Sequence, residues 1–208
     1  MINSIPQIII LVFSIVFHEV AHGRVALWRG DTTARDAGRL TLNPLPHIDL
    51  FGTILFPLFL IITRSPVLFG WAKPVPVNPF HFKEIKKDMA LVGASGPASN
   101  FLLAVVIGVL FRISASTLGW DHVMTQALVY GIYINLVLAF FNLIPVPPLD
   151  GSRIVMAFLP DDLALKYSRI ERFGFLIIFG LLFLGLFQFV LFPIVHVFLI
   201  LIIGFSPF

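Results

Sequence analysis

Cysteine is absent from all 208 residues. That excludes disulfides, thiolate metal sites and a cysteine nucleophile, so any metal has to be held by His, Asp or Glu. Charge is scarce as well: 12% of residues are Asp, Glu, Lys or Arg, against 58% hydrophobic, with a mean hydropathy of +0.98. So little polar surface cannot coat a soluble globule. The sequence also lacks a basic run with interleaved aromatics, which excludes a nucleic-acid partner. No Lys or Arg precedes the first apolar run, which argues for a retained helix rather than a cleaved signal. With no internal repeat, low-complexity tract or appended soluble domain in view, the expectation is one membrane-embedded domain over residues 1–208, in contact with the lipid bilayer.

What is there instead is a series of apolar stretches of roughly 20 residues, enough to cross a hydrocarbon core about 30 Å thick. Four read as full spans, over about 5–28, 90–111, 126–147 and 173–205. The last is longer than one crossing needs and contains Pro193, which fits a kinked span or a span plus a re-entrant piece. A fifth stretch, about 48–69, is interrupted by Pro57, Arg64 and Pro66 and flanked by "TLNPLPHID" and "GWAKPVPVNPFHF". Proline lacks an N–H and disfavours helix in the residue before it, so these flanks are not helical throughout. The alternation in "KPVPVNP" predicts an extended, strand-like segment. Irregular backbone at membrane depth is tolerated only against protein or a water-filled cavity, so the flanks are candidates to line one.

Chemistry concentrates in "VFHEVAHGRVAL" near the end of the first span. His18, Glu19 and His22 form H-E-x-x-H. On a helix, residues four apart share one face about 6 Å apart along the axis, so both imidazoles can reach one ion while Glu19 flanks it. This is the zinc-hydrolase spacing, with a third protein ligand from elsewhere and an open position for water. Ionisable residues inside a membrane helix cost roughly 2.5 kcal/mol or more on insertion scales. Three on one arc need a metal or a partner charge to offset them, and histidines that merely hydrogen-bond neighbouring helices are the weaker reading.

Asp150, in "FNLIPVPPLDGSR", is the best candidate third ligand: a helix ends at a proline series and delivers a carboxylate. For Asp150 to reach His18 and His22, the first span and the span from about 126 have to run parallel, which requires an odd number of crossings between them. The span over 90–111 supplies one, so 48–69 has to enter and leave on the same side. With that re-entrant stretch, 13 of the 14 Lys and Arg residues lie on one side and only Arg112 on the other. Cytoplasmic loops carry excess Lys and Arg, so the same topology follows from charge, with the site towards the cytoplasm.

These residues together resemble the site-2 protease family of intramembrane zinc metalloproteases, in its short bacterial and archaeal branch without PDZ or CBS domains. The pieces that match are "HEVAH", "GASGPASN" at 93–100 and "NLIPVPPLDG" at 142–151, with "RLTLNPLPHID" and "GWAKPVPVNP" between. The resemblance spans about residues 16–153. It implies an all-α polytopic membrane protein with three core helices, further helices around them and a strand-like element dipping into the membrane. It further implies one Zn²⁺ ion on His18, His22 and Asp150, Glu19 as general base, and cleavage of transmembrane segments of other membrane proteins in a prokaryotic cell membrane.

Asn142 matches a family asparagine associated with substrate positioning; satisfying carbonyls freed by Pro145 is an equal reading. His47 is either an auxiliary group near the metal or, preferentially, a loop histidine at the membrane surface. Gly93, Gly96, Pro97 and Asn100 are expected to serve close helix packing. The rival activities are a membrane metal-ion or small-solute transporter using the same His/Asp/Glu cluster, and a non-catalytic scaffold. The first would show paired halves with interrupted helices, which are not apparent. The intact ligand set argues against the second.

Overall fold

Backbone amides in hydrocarbon have to be satisfied within their own helix, and the long apolar stretches accordingly form helices. In the computed structural model, residues 4–64, 70–185 and 187–204 are described. Among these residues three helices are long and apolar enough to cross a membrane: α1 (Ser4–Trp28), α2 (Ile85–Thr117) and α3 (Val123–Asn142). A shorter helix, α4 (Asp150–Phe158), follows α3. The described residues contain no strand.

Side-chain pairings fix the directions of the three long helices. Ile10 packs on Gly131, and Asn135 donates to Ser14 Oγ, so α1 and α3 run parallel. Asn100 donates to Ser14 O, His22 bonds Val92 O and Arg29 bonds Asp88, so α2 runs antiparallel to both. The apolar core joins α2 and α3 to the helix Phe192–Ile203 through Ala104, Ile107, Phe111, Ile132, Val195 and Leu199. It lies towards the α2 C-terminus, where Arg112 donates to Ile202 O. The opposite end carries the polar loops, so chemistry and apolar packing are segregated along the bundle.

Several boundaries differ from the sequence expectation, among them both ends of the span expected over 90–111, which runs from Ile85 to Thr117. The span expected to reach residue 147 stops at Asn142, because Pro145, Pro147 and Pro148 cannot continue a helix. Asp150 consequently opens the separate helix α4 rather than closing the span. The run over 173–205, whose last residue and Leu186 lie outside the described residues, belongs to a pair of helices, Asp161–Phe183 and Phe187–Ile203, bent by 67°. If this pair counts as one span, the crossings number four. The bend falls next to Gly185, at φ +88°, and not at Pro193, which sits where the π-helical turn Phe187–Leu191 passes into the α-helix Phe192–Ile203.

The stretch from 48 forms only a 13-residue helix, Leu50–Ile62, with residues 65–69 outside the described set. The chain then comes back to where it left: Trp71 N–H donates to Gly52 O, Thr53 Oγ1 donates to Trp71 O, and Lys73 N–H donates to His47 O. The strand-like segment expected at "KPVPVNP" is not formed. Residues 72–78 have no regular secondary structure: Pro74 and Pro76 have no N–H, and the donors of Val75 and Asn78 are taken by the carboxylates of Glu19 and Asp31. Carbonyls of Lys73 and Pro74 accept from the buried Arg39. Side chains therefore occupy the groups a ladder would need.

Asp31, fully buried just beyond α1, ties this segment down. Its carboxylate accepts from Thr33 N–H and Oγ1, from Asn78 N–H and from His81 Nδ1. Burial opposes its charge, but the hydrogen bonds from Thr33, Asn78 and His81 hold its carboxyl below the usual carboxylate range. A folded-state pKa below the unfolded value of about 3.8 stabilises the fold above that pH and is lost as pH falls through the folded value. Asp31→Ala is expected to cost roughly 1–3 kcal/mol for each donor it orphans. Asp31→Asn should reduce, by the Asp31 share, the loss of thermal stability that the wild type shows on acidification below about pH 4, as measured by unfolding in detergent.

Candidate metal centre

His18 and His22 project from one face of α1, four residues apart. Helix α2 can lie directly against that face because position 96 is glycine. A Cβ at Gly96 would sit 2.5 Å from His22 Nε2 and 2.6 Å from His18 Cε1. Asp150 arrives from the third side. The turn that delivers it closes over Gly151, where a Cβ would collide with Leu143 O, and α4 seats on Gly93, where a Cβ would meet Asp150 O at 3.0 Å. Two glycines on α2 and one after the aspartate thus set the depth of all three side chains.

All three side chains are buried. The Nε2 atoms of His18 and His22 are 3.0 Å apart, and Asp150 Oδ2 lies 3.1 Å and 3.2 Å from them. An ion about 2.0–2.1 Å from each of these atoms in a tetrahedral site would hold them about 3.4 Å apart, close to the triangle observed. The other ring nitrogens assign the tautomers. His18 Nδ1 lies 2.6 Å from Asn100 Oδ1 and His22 Nδ1 lies 2.7 Å from Val92 O. Both partners are acceptors, so each Nδ1 carries the hydrogen and each neutral ring turns a bare Nε2 inward.

Burial opposes the charge on Asp150. Its Oδ2 nevertheless has no hydrogen-bond partner among the described residues. Three lone-pair-bearing atoms therefore converge, an arrangement that a divalent cation makes favourable, and the cluster could hold a metal ion. Its nitrogen and oxygen donors, without a thiolate, suit first-row divalent metals. Gly96→Ala is expected to weaken zinc binding at least about 10-fold, comparable to loss of an outer-shell partner, with helix content unchanged. A competitive chelator titration with circular dichroism checks both.

The site opens on a cavity of about 170 Å³, whose walls include Glu19, Pro74, Val75, Asn142 and Arg153. Glu19 Oε2 accepts from Val75 N–H at 2.8 Å. Asn142 faces the same cavity, and its Nδ2 donates to Leu138 O. The carbonyl released by Pro145 belongs to Phe141 and accepts instead from Ile144 N–H, so satisfying it is not the work of Asn142. His47 stands apart from the cluster. It is 2% exposed, with Nε2 bonded to Thr41 O, so it is neither a group beside the metal nor a surface histidine.

Sequence reasoning missed how the histidines are held. Its place in a small-residue stretch suggests packing for Asn100, whereas its oxygen takes the His18 Nδ1 hydrogen. Ser14 and Asn135, buried beside it, were not singled out. The available signal was the cost of an amide inside an apolar span, which marks a residue with a partner but does not say which one.

Fold and site define a helical protein with spans long enough to cross a membrane and a buried His/His/Asp cluster that could bind a metal. The model of "Peptidase family M50" matches residues 114–185. Relatives carry the name "Putative zinc metalloprotease". YwhC of Bacillus subtilis (strain 168) is 39% identical over 202 residues, covering 94% of this chain and 88% of its own. Rip2 of Mycolicibacterium smegmatis is 27% identical over 173 residues, covering 81% and 63%. MJ0611 of Methanocaldococcus jannaschii is 29% identical over 167 residues, covering 74% and 75%. No solved structure matches the chain. The chain belongs to peptidase family M50, the site-2 protease family of zinc metalloproteases, which hydrolyse peptide bonds.

Proposed function

We propose that this chain is an intramembrane zinc metalloendopeptidase that cleaves transmembrane segments of other membrane proteins. His18, His22 and Asp150 hold one zinc ion, Glu19 is the general base and Asn142 positions the substrate. The observation that carries this reading is the convergence of two bare imidazole nitrogens and an orphaned carboxylate oxygen on a cavity that Glu19 also walls. A bound zinc ion supplies Lewis acidity that polarises a carbonyl and lowers the pKa of water to about 7. The Val75 N–H fixes Oε2 of Glu19 and leaves Oε1 to take the proton from the attacking water. The same carboxyl then passes the proton to the leaving amine nitrogen, which balances the hydrolysis. Asn142 offers its amide to the substrate backbone or the developing oxyanion.

The topology follows the same logic. Residues 48–69 act as a re-entrant element, supported by the return of the chain from Ile62 to the Gly52 carbonyl. The end of the bundle that carries the site also carries Arg29, Lys86 and Asp161, while Arg112 lies at the other. The excess of Lys and Arg at the site end supports an orientation with the site towards the cytoplasm of a prokaryotic cell membrane. Residues 1–208 act as one domain. The test is cleavage of a transmembrane reporter by the purified, detergent-solubilised chain. Cleavage that phenanthroline stops and added zinc restores is expected; cleavage that survives complete zinc removal would overturn the proposal.

A further inference from the structure

Behind His18, where α1, α2 and α3 meet, lies a closed polar network with no role in the steps above: Ser14, Asn100 and Asn135, each fully buried. Its hydrogen-bond directions are fixed from its ends. Gly131 O, 2.8 Å from the Asn135 side chain, can only accept, so Asn135 turns its NH₂ there and its oxygen towards Asn100. The same NH₂ donates to Ser14 Oγ, whose own hydrogen goes to Ile10 O. Asn100 meets the Asn135 oxygen with its Nδ2 at 2.8 Å, and the same nitrogen donates to Ser14 O at 3.2 Å. The Asn100 oxygen is thereby left facing His18 Nδ1. An oxygen there requires the hydrogen on Nδ1 and leaves Nε2 bare towards the cluster.

We propose that Asn135, which makes no hydrogen bond to any of the three ligands, is a positioning residue for the metal centre, acting through Asn100 on His18. The inference rests on the zinc reading of the cluster. Removing Asn135 leaves only the longer Ser14 contact to oppose a flipped Asn100. A flipped Asn100 presents NH₂ to His18 Nδ1, favours the Nε2–H tautomer and blocks the ligand lone pair. An outer-shell partner of a metal-bound histidine typically changes metal affinity 10–100-fold, and a residue one step further out belongs at the lower end.

The experiment compares wild type, N135L, N135A and the double variant N100D/N135L. An aspartate at position 100 has no flip to fix, since both of its oxygens accept, so it should replace the missing constraint. Zinc affinity by competitive chelation is expected to fall roughly 10-fold in N135L and N135A and to return to within about threefold of wild type in N100D/N135L. In metal-free protein, the ring ¹⁵N shifts of His18 should report the Nδ1–H tautomer in wild type and a mixture of tautomers in N135L. The tautomer of the wild type is readable even if no variant folds, and an Nε2–H wild type overturns the proposal. Unchanged affinity in the single variants, or a loss that N100D does not restore, also overturns it, while leaving the zinc site standing. A wild type that binds no zinc would instead overturn the zinc reading and this inference with it.

Discussion

Glu19→Gln is expected to lower peptide cleavage by roughly 10²–10⁴-fold, the range of a positioned general base, while zinc stays bound. The substitution keeps shape and keeps an oxygen that can accept from Val75 N–H, so the wall formed by residues 74–77 should not move. It removes only the ability to take a proton. Glu19 is half-buried on the same cavity as the His/His/Asp cluster and bonds to no member of it, so metal affinity should stay within about twofold, well below an outer-shell effect. Zinc content by elemental analysis and cleavage of one reporter, measured on the same preparation, separate the two effects. Cleavage within tenfold of wild type would remove Glu19 from the role of base.

Asp150→Ala is the complementary case. It removes the proposed third ligand rather than a support, so zinc affinity should fall by more than the roughly 10–100-fold of an outer-shell loss, and activity should follow. The two bare Nε2 atoms 3.0 Å apart would then face each other with no carboxylate to complete the set. Asp150→Asn, which keeps the shape of the side chain, should lose nearly as much, because the missing element is the negative charge. An unchanged zinc stoichiometry and affinity in both variants would exclude Asp150 as the third ligand.

How far the sequence reached depended on whether a feature was local or relational. The spacing of His18 and His22 is local, and helix geometry alone brings their rings together. Asp150 was found by a constraint between helices, and the pairings of Ile10 with Gly131 and Ser14 with Asn135 agree with the parallel arrangement it demanded. The end of α3 was misplaced by five residues because apolar character continues to Val146 while the helix cannot pass the proline series. The strand-like reading of residues 72–78 failed differently. Alternation of proline and valine is a local pattern, but whether a segment joins a sheet depends on partners, and Glu19, Asp31 and Arg39 take those places. Asn100 could be read as packing because a small-residue stretch and a ligand support share the same positions on α2.

X-ray absorption at the zinc edge of the purified protein examines the central claim most directly. Two imidazole nitrogens and one carboxylate oxygen at about 2.0–2.2 Å, in a four-coordinate site, are predicted. Loss of the carboxylate shell in Asp150→Ala should follow. Purified protein whose spectrum shows one imidazole or none, or that retains no zinc at all, would contradict the account.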